Sequence, residues 1–181
     1  MEKKIVLIYK SVTGYTKTYA EAIGRELGCP LIKLEDVQEK DVQGADILIF
    51  GSRVHGGKVD GLKRAKRIFA HSGAKTLVLY ATGAMPREAE KSIEEMWRTN
   101  LPTDGDMGVA HFYFPGGLCY EKMPWADRMM MKAFLAMLKG KKEKSESDKM
   151  IASHIASSYD ISSMRYIEPL LETVRRQLTQ A

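Results

Sequence analysis

Unbroken apolar runs alternate with amphipathic stretches along the chain. The first run, residues 5–9, is rich in aliphatic and β-branched side chains without polar alternation, which is typical of a parallel strand that is covered on both faces. The strand candidates are five. They lie at residues 5–9, 31–34, 47–50, 76–80 and 109–114. Helical periodicity predicts helices at residues 16–27, 62–70, 87–99, 125–138 and 166–178.

This alternation predicts one α/β domain over residues 1–181, without a linker or an internal repeat. We expect a three-layer sandwich whose five-stranded parallel sheet has the strand order 2-1-3-4-5. In such a sheet a ligand binds at the carboxyl ends of the strands, beside the point where the strand order reverses. Three loops are therefore expected around one site.

The first loop has the composition of a phosphate-binding turn. Ser11, Thr13 and Thr16 supply hydroxyl groups, and Gly14 permits close approach of the backbone. A helix begins behind them, and its free amides and positive dipole end favour an anion. The loop lacks the glycine and lysine spacing of the Walker and dinucleotide loops. We interpret residues 11–16 as a phosphate cradle, and an ordinary capped helix is the alternative.

Glycines and small residues mark the other two loops. In the second loop, residues 51–58, the pair Gly56-Gly57 gives the backbone unusual freedom, and His55 offers a ring that can stack or form a hydrogen bond. In the third loop, residues 81–86, small side chains let the main chain approach a flat ligand. Glycine pairs also mark ordinary turns, which is the alternative for the second loop.

The loop at residues 11–16 resembles the Ser/Thr-x-Thr-Gly-x-Thr loop with which flavodoxins hold the 5′-phosphate of FMN. The resemblance implies FMN as cofactor, a flavodoxin-like fold, and a peptide at Gly56-Gly57 that turns its carbonyl toward flavin N5 upon reduction. Many flavodoxins enclose the ring between a tryptophan and a tyrosine, and the second and third loops lack both residues. Tyr120, in the loop after the fifth strand and close to the same end of the sheet, is therefore the candidate aromatic. The residues predicted to bind the cofactor are Ser11, Val12, Thr13, Gly14, Tyr15, Thr16, Ser52, Arg53, Val54, His55, Gly56, Gly57, Ala81, Thr82, Gly83, Ala84 and Tyr120.

A second resemblance concerns the pattern Tyr120-x-x-x-x-Trp125-x-Asp127-Arg128-x-Met130-x-Lys132. It is similar to the corresponding region of the flavodoxin-type, quinone-dependent protoporphyrinogen oxidases of bacteria. This implies an insertion at about residues 115–150, between the last strand and the last helix. It also implies an FMN oxidoreductase that acts on a porphyrinogen-like planar substrate with a quinone acceptor. At His55-Gly56 the chain departs from that branch, which more often has Arg-Tyr there.

Composition narrows the cellular setting. Cys29 and Cys119 are far apart and lie in no metal-ligand spacing, so we expect a reduced, cytoplasmic setting and no metal site. No apolar run is long enough to span a membrane, and a predicted strand follows the first residues almost at once, so we expect a protein that is neither exported nor integral. The net charge of +5 contrasts with the acidic character of most flavodoxins. No nucleic-acid-reading motif accompanies it, so a nucleic acid partner is not expected.

The segment from Trp125 to Lys144 joins an apolar helix to a basic run. Apolar side chains surround the predicted helix, so one sheet face cannot bury them all. Methionine-rich surfaces adapt to varied partners, and cations beside them suit an anionic surface. We therefore expect contact with a membrane at its cytoplasmic face or with a quinone, and a homodimer interface or simple core are the alternatives.

Three classes of function remain. The first is an FMN oxidoreductase, which needs no acid–base dyad because the flavin takes the electrons. The second is an electron carrier that docks on a larger reductase and uses its basic surface to select an acidic partner. The third is a non-redox binding module with the same fold.

Overall fold

The computed structural model describes residues 3–103, 108–140, 152–153 and 155–179. Its centre is a sheet of parallel strands. These are β1 (Ile5–Lys10), β2 (Leu31–Lys33), β3 (Ile47–His55), β5 (Thr76–Gly83) and β6 (Ala110–Pro115), and β4 (Lys58–Val59) pairs antiparallel with β3. The order β2-β1-β3-β5-β6 confirms the predicted five-stranded parallel sheet with the order 2-1-3-4-5 of its main strands.

Helices cover both faces of this sheet. Their bounds are α1 (Tyr15–Leu27), α2 (Glu39–Val42), α3 (Leu62–Ser72), α4 (Glu90–Asn100), α5 (Trp125–Gly140) and α6 (Glu168–Thr179). Successive residues of β1 point to opposite faces, so Val6 packs with α3 and α4 while Leu7 packs with α1 and α6. Both side chains are fully buried, as the unbroken apolar runs predict.

The strand register brings the carboxyl ends of three strands to one level. Lys10 of β1 lies opposite Ser52 of β3, and Arg53 of β3 lies opposite Thr82 of β5. The loops that follow these strands therefore share one edge of the sheet. The three loops predicted to surround one site therefore lie at the same edge.

Several predicted boundaries are wrong. The helix predicted at residues 87–99 is α4, and it starts at Glu90 rather than at 87. The reason is that Ala89 has a non-helical backbone and its amide closes a turn onto the Pro86 carbonyl (3.1 Å). The last helix starts at Glu168 after the 3-10 turn Met164–Ile167, rather than at 166. Short α2 and β4 were not predicted, because four or two residues carry too little periodicity.

Between β6 and α6 lies a segment, residues 116–163, that we call the connecting segment. It holds the short strands β7 (Gly117–Leu118) and β8 (Tyr159–Asp160), which pair with each other, and it holds α5. A small apolar cluster of Leu118, Leu138 and Ile155 joins these parts. The lysines at 141, 142 and 144 lie outside the described residues. In the described part of the chain no helix combines the length and apolar character that a bilayer span requires.

Candidate functional site

The turn before α1 exposes its backbone. Gly14 caps the helix with φ +106°, a conformation that L side chains rarely adopt, and no cap side chain bonds to the helix. A Cβ at Gly14 would meet no atom within 4 Å, so the turn borders open space. The Lys17 amide donates to the Ser11 hydroxyl (3.3 Å), which places that hydroxyl beside the first turn of the helix. The geometry suits an anion held by amides and hydroxyls.

Thr16 has a different role from the other hydroxyls of the turn. Its hydroxyl lies 2.7 Å from that of Thr82, and both residues are buried. Its carbonyl accepts a hydrogen bond from the Tyr80 hydroxyl (3.2 Å). Thr16 therefore ties α1 to β5, and its hydroxyl is already engaged within the protein.

The second predicted loop is shorter than expected. β3 continues to His55 because Arg53 pairs with Thr82 and Val54 pairs with Val59 across neighbouring strands. Only Gly56 and Gly57 form the turn to β4, with φ values of +55° and +77°. Two positive φ values are the requirement of the tight hairpin turn that favours Gly-Gly.

A buried asparagine holds this hairpin. The Asn100 amide nitrogen donates to the Gly57 carbonyl (2.9 Å), and its side-chain oxygen accepts from the Val59 amide (2.8 Å). The same nitrogen donates to the Met96 carbonyl of α4 (2.8 Å). One side of the glycine turn is thus fixed, while Gly56 has no side chain and is exposed.

The third predicted loop is also shorter than expected, since Ala81, Thr82 and Gly83 belong to β5. Beyond them, two tyrosines hold the backbone. The Tyr159 hydroxyl donates to the Ala84 carbonyl (2.7 Å), and the Tyr113 hydroxyl bonds both the amide and the carbonyl of Met85 (2.9 and 3.1 Å). Burial raises the pKa of both tyrosines, so they remain neutral donors.

Two cavities lie along this edge. One of about 190 Å³ lies under the connecting segment. Another of about 460 Å³ lies between the glycine hairpin, the start of the third loop and α4. The larger falls within the ~300–1,000 Å³ of typical ligand sites. The residues that line both are Val54, Gly56, Gly83 and Ala84.

Most of the predicted site residues line these cavities. The smaller cavity adds Thr13, Tyr15, Arg53, His55 and Thr82, and the larger adds Gly57. Other predicted residues line neither cavity and belong to the turn, to the start of α1 or to the strand ends. These are Ser11, Val12, Gly14, Thr16, Ser52 and Ala81.

The structure does not bring Tyr120 to either cavity. Its hydroxyl donates to the Ile155 carbonyl (2.6 Å), and its amide donates to the Ser158 hydroxyl (3.0 Å). These bonds turn the ring toward the small apolar cluster of the connecting segment. Above the smaller cavity lie methionines instead, namely Met123, Met130 and Met131.

Sequence reasoning gave no role to Asp127, which also lines the smaller cavity. Its carboxylate lies 2.6 Å from the Arg53 guanidinium and 3.8 Å from His55 Nε2. The signal in the sequence was that Asp127 is an acidic residue in a largely apolar helix. Tyr159 carried no signal, because its partner Ala84 is 75 residues away in sequence.

Comparison with known proteins shows the family of this chain. The model of the flavodoxin domain matches residues 6–145, most of the chain, and the protein therefore belongs to this family. No curated protein matches the sequence.

Several solved structures are similar to the chain. A flavodoxin from the domain Archaea is 21% identical, with 70% of this chain and 90% of that chain covered and a TM-score of 0.45. A WrbA-like flavodoxin from Agrobacterium tumefaciens is 16% identical, with 70% and 88% covered and a TM-score of 0.48. A flavoprotein from Lactobacillus acidophilus NCFM, solved in complex with FMN, is 16% identical, with 62% and 92% covered and a TM-score of 0.44.

Proposed function

We propose that this chain binds FMN and is an oxidoreductase. The observation that carries the proposal is the open turn at Gly14, which lies at the same sheet edge as the glycine hairpin and the two cavities. The turn suits the phosphate, and the hairpin with the start of the third loop suits the flat ring. The family to which the chain belongs supports the same cofactor.

A buried polar atom also lies next to the proposed site. In the described part of the chain, Ser52 Oγ at the end of β3 is buried without a hydrogen-bond partner. Such atoms are uncommon in folded proteins, because each leaves a desolvation cost uncompensated. This hydroxyl supports the proposal that a polar ligand binds at this end of the sheet.

Methionines supply the cover that an aromatic side chain gives in many flavodoxins. Met130 and Met131 of α5 line the smaller cavity, and so do Val54 and Gly56 at the hairpin. Thioethers make favourable contacts with aromatic rings and adapt to their shape. We assign the ring's outer contact to this pair rather than to Tyr120.

The substrate that we propose is a planar, apolar molecule such as a porphyrinogen, with a quinone as acceptor. The bound flavin supplies the electron transfer, and the protein supplies position and electrostatics. The cover that α5 places over the cavity supports a small-molecule substrate, because it restricts the approach of a large protein. Anaerobic turnover of a porphyrinogen with a water-soluble quinone tests this, and no turnover by FMN-loaded protein would contradict it.

An electron carrier is the second candidate. The exposed Gly56 and Gly57 at the hairpin tip favour it, since a partner protein can reach the backbone there. A carrier should exchange electrons with a reductase yet consume neither porphyrinogen nor quinone. The same assay therefore separates the two candidates.

We propose the exposed face of α5 as the partner surface of this protein. Trp125, Met129, Phe134 and Met137 are exposed. Exposed cations of the same helix, Lys132 and Lys139, suit an anionic membrane surface. Sedimentation with anionic vesicles should fall in Met137→Glu and as salt rises, whereas dimerisation without vesicle binding would point to a second copy instead.

A further inference from the structure

A chain of opposite charges links the sheet edge to the connecting segment. Lys10 Nζ lies 2.9 Å from Asp60 Oδ1, and Asp60 Oδ2 lies 3.6 Å from Arg53 Nε. The other side of the Arg53 guanidinium meets Asp127 Oδ2 at 2.6 Å. His55 Nε2 lies 3.8 Å from the second oxygen of Asp127.

The charged residues of this cluster come from two parts of the molecule. Lys10, Arg53 and Asp60 belong to the sheet edge, whereas Asp127 belongs to α5. The formal charges of the two cations and two carboxylates cancel only while Asp127 is in place. Arg53 and Asp127 line the smaller cavity, and their side chains are only 21% and 15% exposed. Water therefore screens this pair less than it screens a surface pair.

We propose that Asp127 is a positioning residue for the flavin: it holds the Arg53 guanidinium at the cavity wall and neutralises it, so that the connecting segment sets the reduction potential. This inference rests on the proposed binding of FMN. The oxidised ring is neutral, and the fully reduced ring readily carries negative charge. An unpaired cation beside the ring favours the reduced form, and an unpaired carboxylate favours the oxidised form.

Opposite shifts of the midpoint potential in the Asp127 and Arg53 variants distinguish this role from a merely structural one. Asp127→Asn keeps the shape of the side chain and leaves Lys10 and Arg53 with Asp60 as their carboxylate, so the cluster gains net positive charge and the midpoint potential should rise. Arg53→Gln removes one positive charge beside Asp60 and Asp127, so the potential should fall, and the double variant should lie between them. The ratio of reduced to oxidised FMN affinity should change by about fivefold or more in each direction, the lower end of usual coupling between sites.

The ion pair between Arg175 and Glu26 provides a matched control, because its partners are 3.3 Å apart and about half exposed, outside both cavities. Glu26→Gln should leave the potential unchanged. Equal or same-direction shifts in the two single variants would overturn the proposal while FMN binding stands. Failure of the wild-type chain to bind FMN would overturn the proposed function, and this inference with it.

A measurement without FMN tests the positioning itself. Trypsin can cut α5 after Arg128, Lys132 and Lys139. If Asp127 holds α5 on the sheet edge, Asp127→Asn should speed cleavage within α5 in the FMN-free chain, and Glu26→Gln should not. Unchanged cleavage in Asp127→Asn would contradict the positioning role.

Discussion

Helices α5 and α6 are both rich in apolar residues, yet they are used in opposite ways. In α6, Leu170, Leu171 and Val174 form one stripe that is fully buried against the sheet. In α5, Leu138 is the buried residue, while Trp125 is 77% exposed. A single apolar stripe predicts core, whereas apolar residues on several sides predict a helix with a partner besides the sheet.

The largest effect that we expect comes from the buried stripe. Leu170→Ala should lower the free energy of unfolding by about 2–5 kcal/mol, because it leaves a cavity in the core. Met137→Ala in α5 is the control and should change it by less than about 0.5 kcal/mol, since the side chain is 55% exposed. Urea unfolding of both variants measures the contrast. Equal losses of unfolding free energy in the two variants would show that α5 is part of the core.

A smaller loss of unfolding free energy is expected where the connecting segment meets α1. The Tyr19 hydroxyl donates to the Pro115 carbonyl (2.6 Å) and accepts from the Ser163 amide (3.1 Å), so it holds both ends of the connecting segment on α1. Tyr19→Phe should cost about 1–3 kcal/mol, because two backbone groups lose their partner.

The control variant for Tyr19→Phe is Tyr166→Phe. In the wild-type chain the Tyr166 hydroxyl accepts one long hydrogen bond from the neighbouring Arg165 (3.4 Å). Tyr166→Phe should be nearly neutral in the same unfolding measurement. If Tyr19→Phe proves as mild as Tyr166→Phe, the junction depends on other contacts.

The smallest effect is spectroscopic and leaves stability unchanged. The chain has two tryptophans, and Trp97 is 5% exposed where Trp125 is 77% exposed. Acrylamide should quench the fluorescence of Trp125 and spare that of Trp97. Trp125→Phe should therefore remove most of the quenchable emission, and protection of Trp125 in the wild-type chain would reveal a covered α5 face.

The same contrast explains what the sequence could predict. The central strands of the sheet were predictable because they contain continuous apolar runs such as residues 47–50, and a parallel sheet buries both of its faces. The turn that we propose as the phosphate site could be singled out because Gly14 and its hydroxyl neighbours are contiguous. Local chemistry and local structure coincide there.

The rest of the site depends on contacts between distant residues. The pairing of Arg53 with Asp127 and of Tyr159 with Ala84 joins residues 74 and 75 positions apart. Tyr120 was predicted from its position after a strand, but its hydroxyl bonds to Ile155 within the connecting segment. Periodicity does not report such contacts, because it describes one element at a time.

The most direct test of FMN binding is titration of the purified FMN-free chain with FMN, followed by fluorescence quenching of the flavin. Gly28→Ala is the matched control for Gly14→Ala. Gly14 and Gly28 cap opposite ends of α1, and both have a positive φ and open space where a Cβ would lie. Alanine should therefore strain the backbone at each position by about 1–3 kcal/mol. We predict saturable binding by the wild-type chain and by Gly28→Ala, and strong loss in Gly14→Ala. A folded wild-type chain that binds no FMN, or equal binding by both variants, would contradict the assignment of the Gly14 turn as the phosphate site.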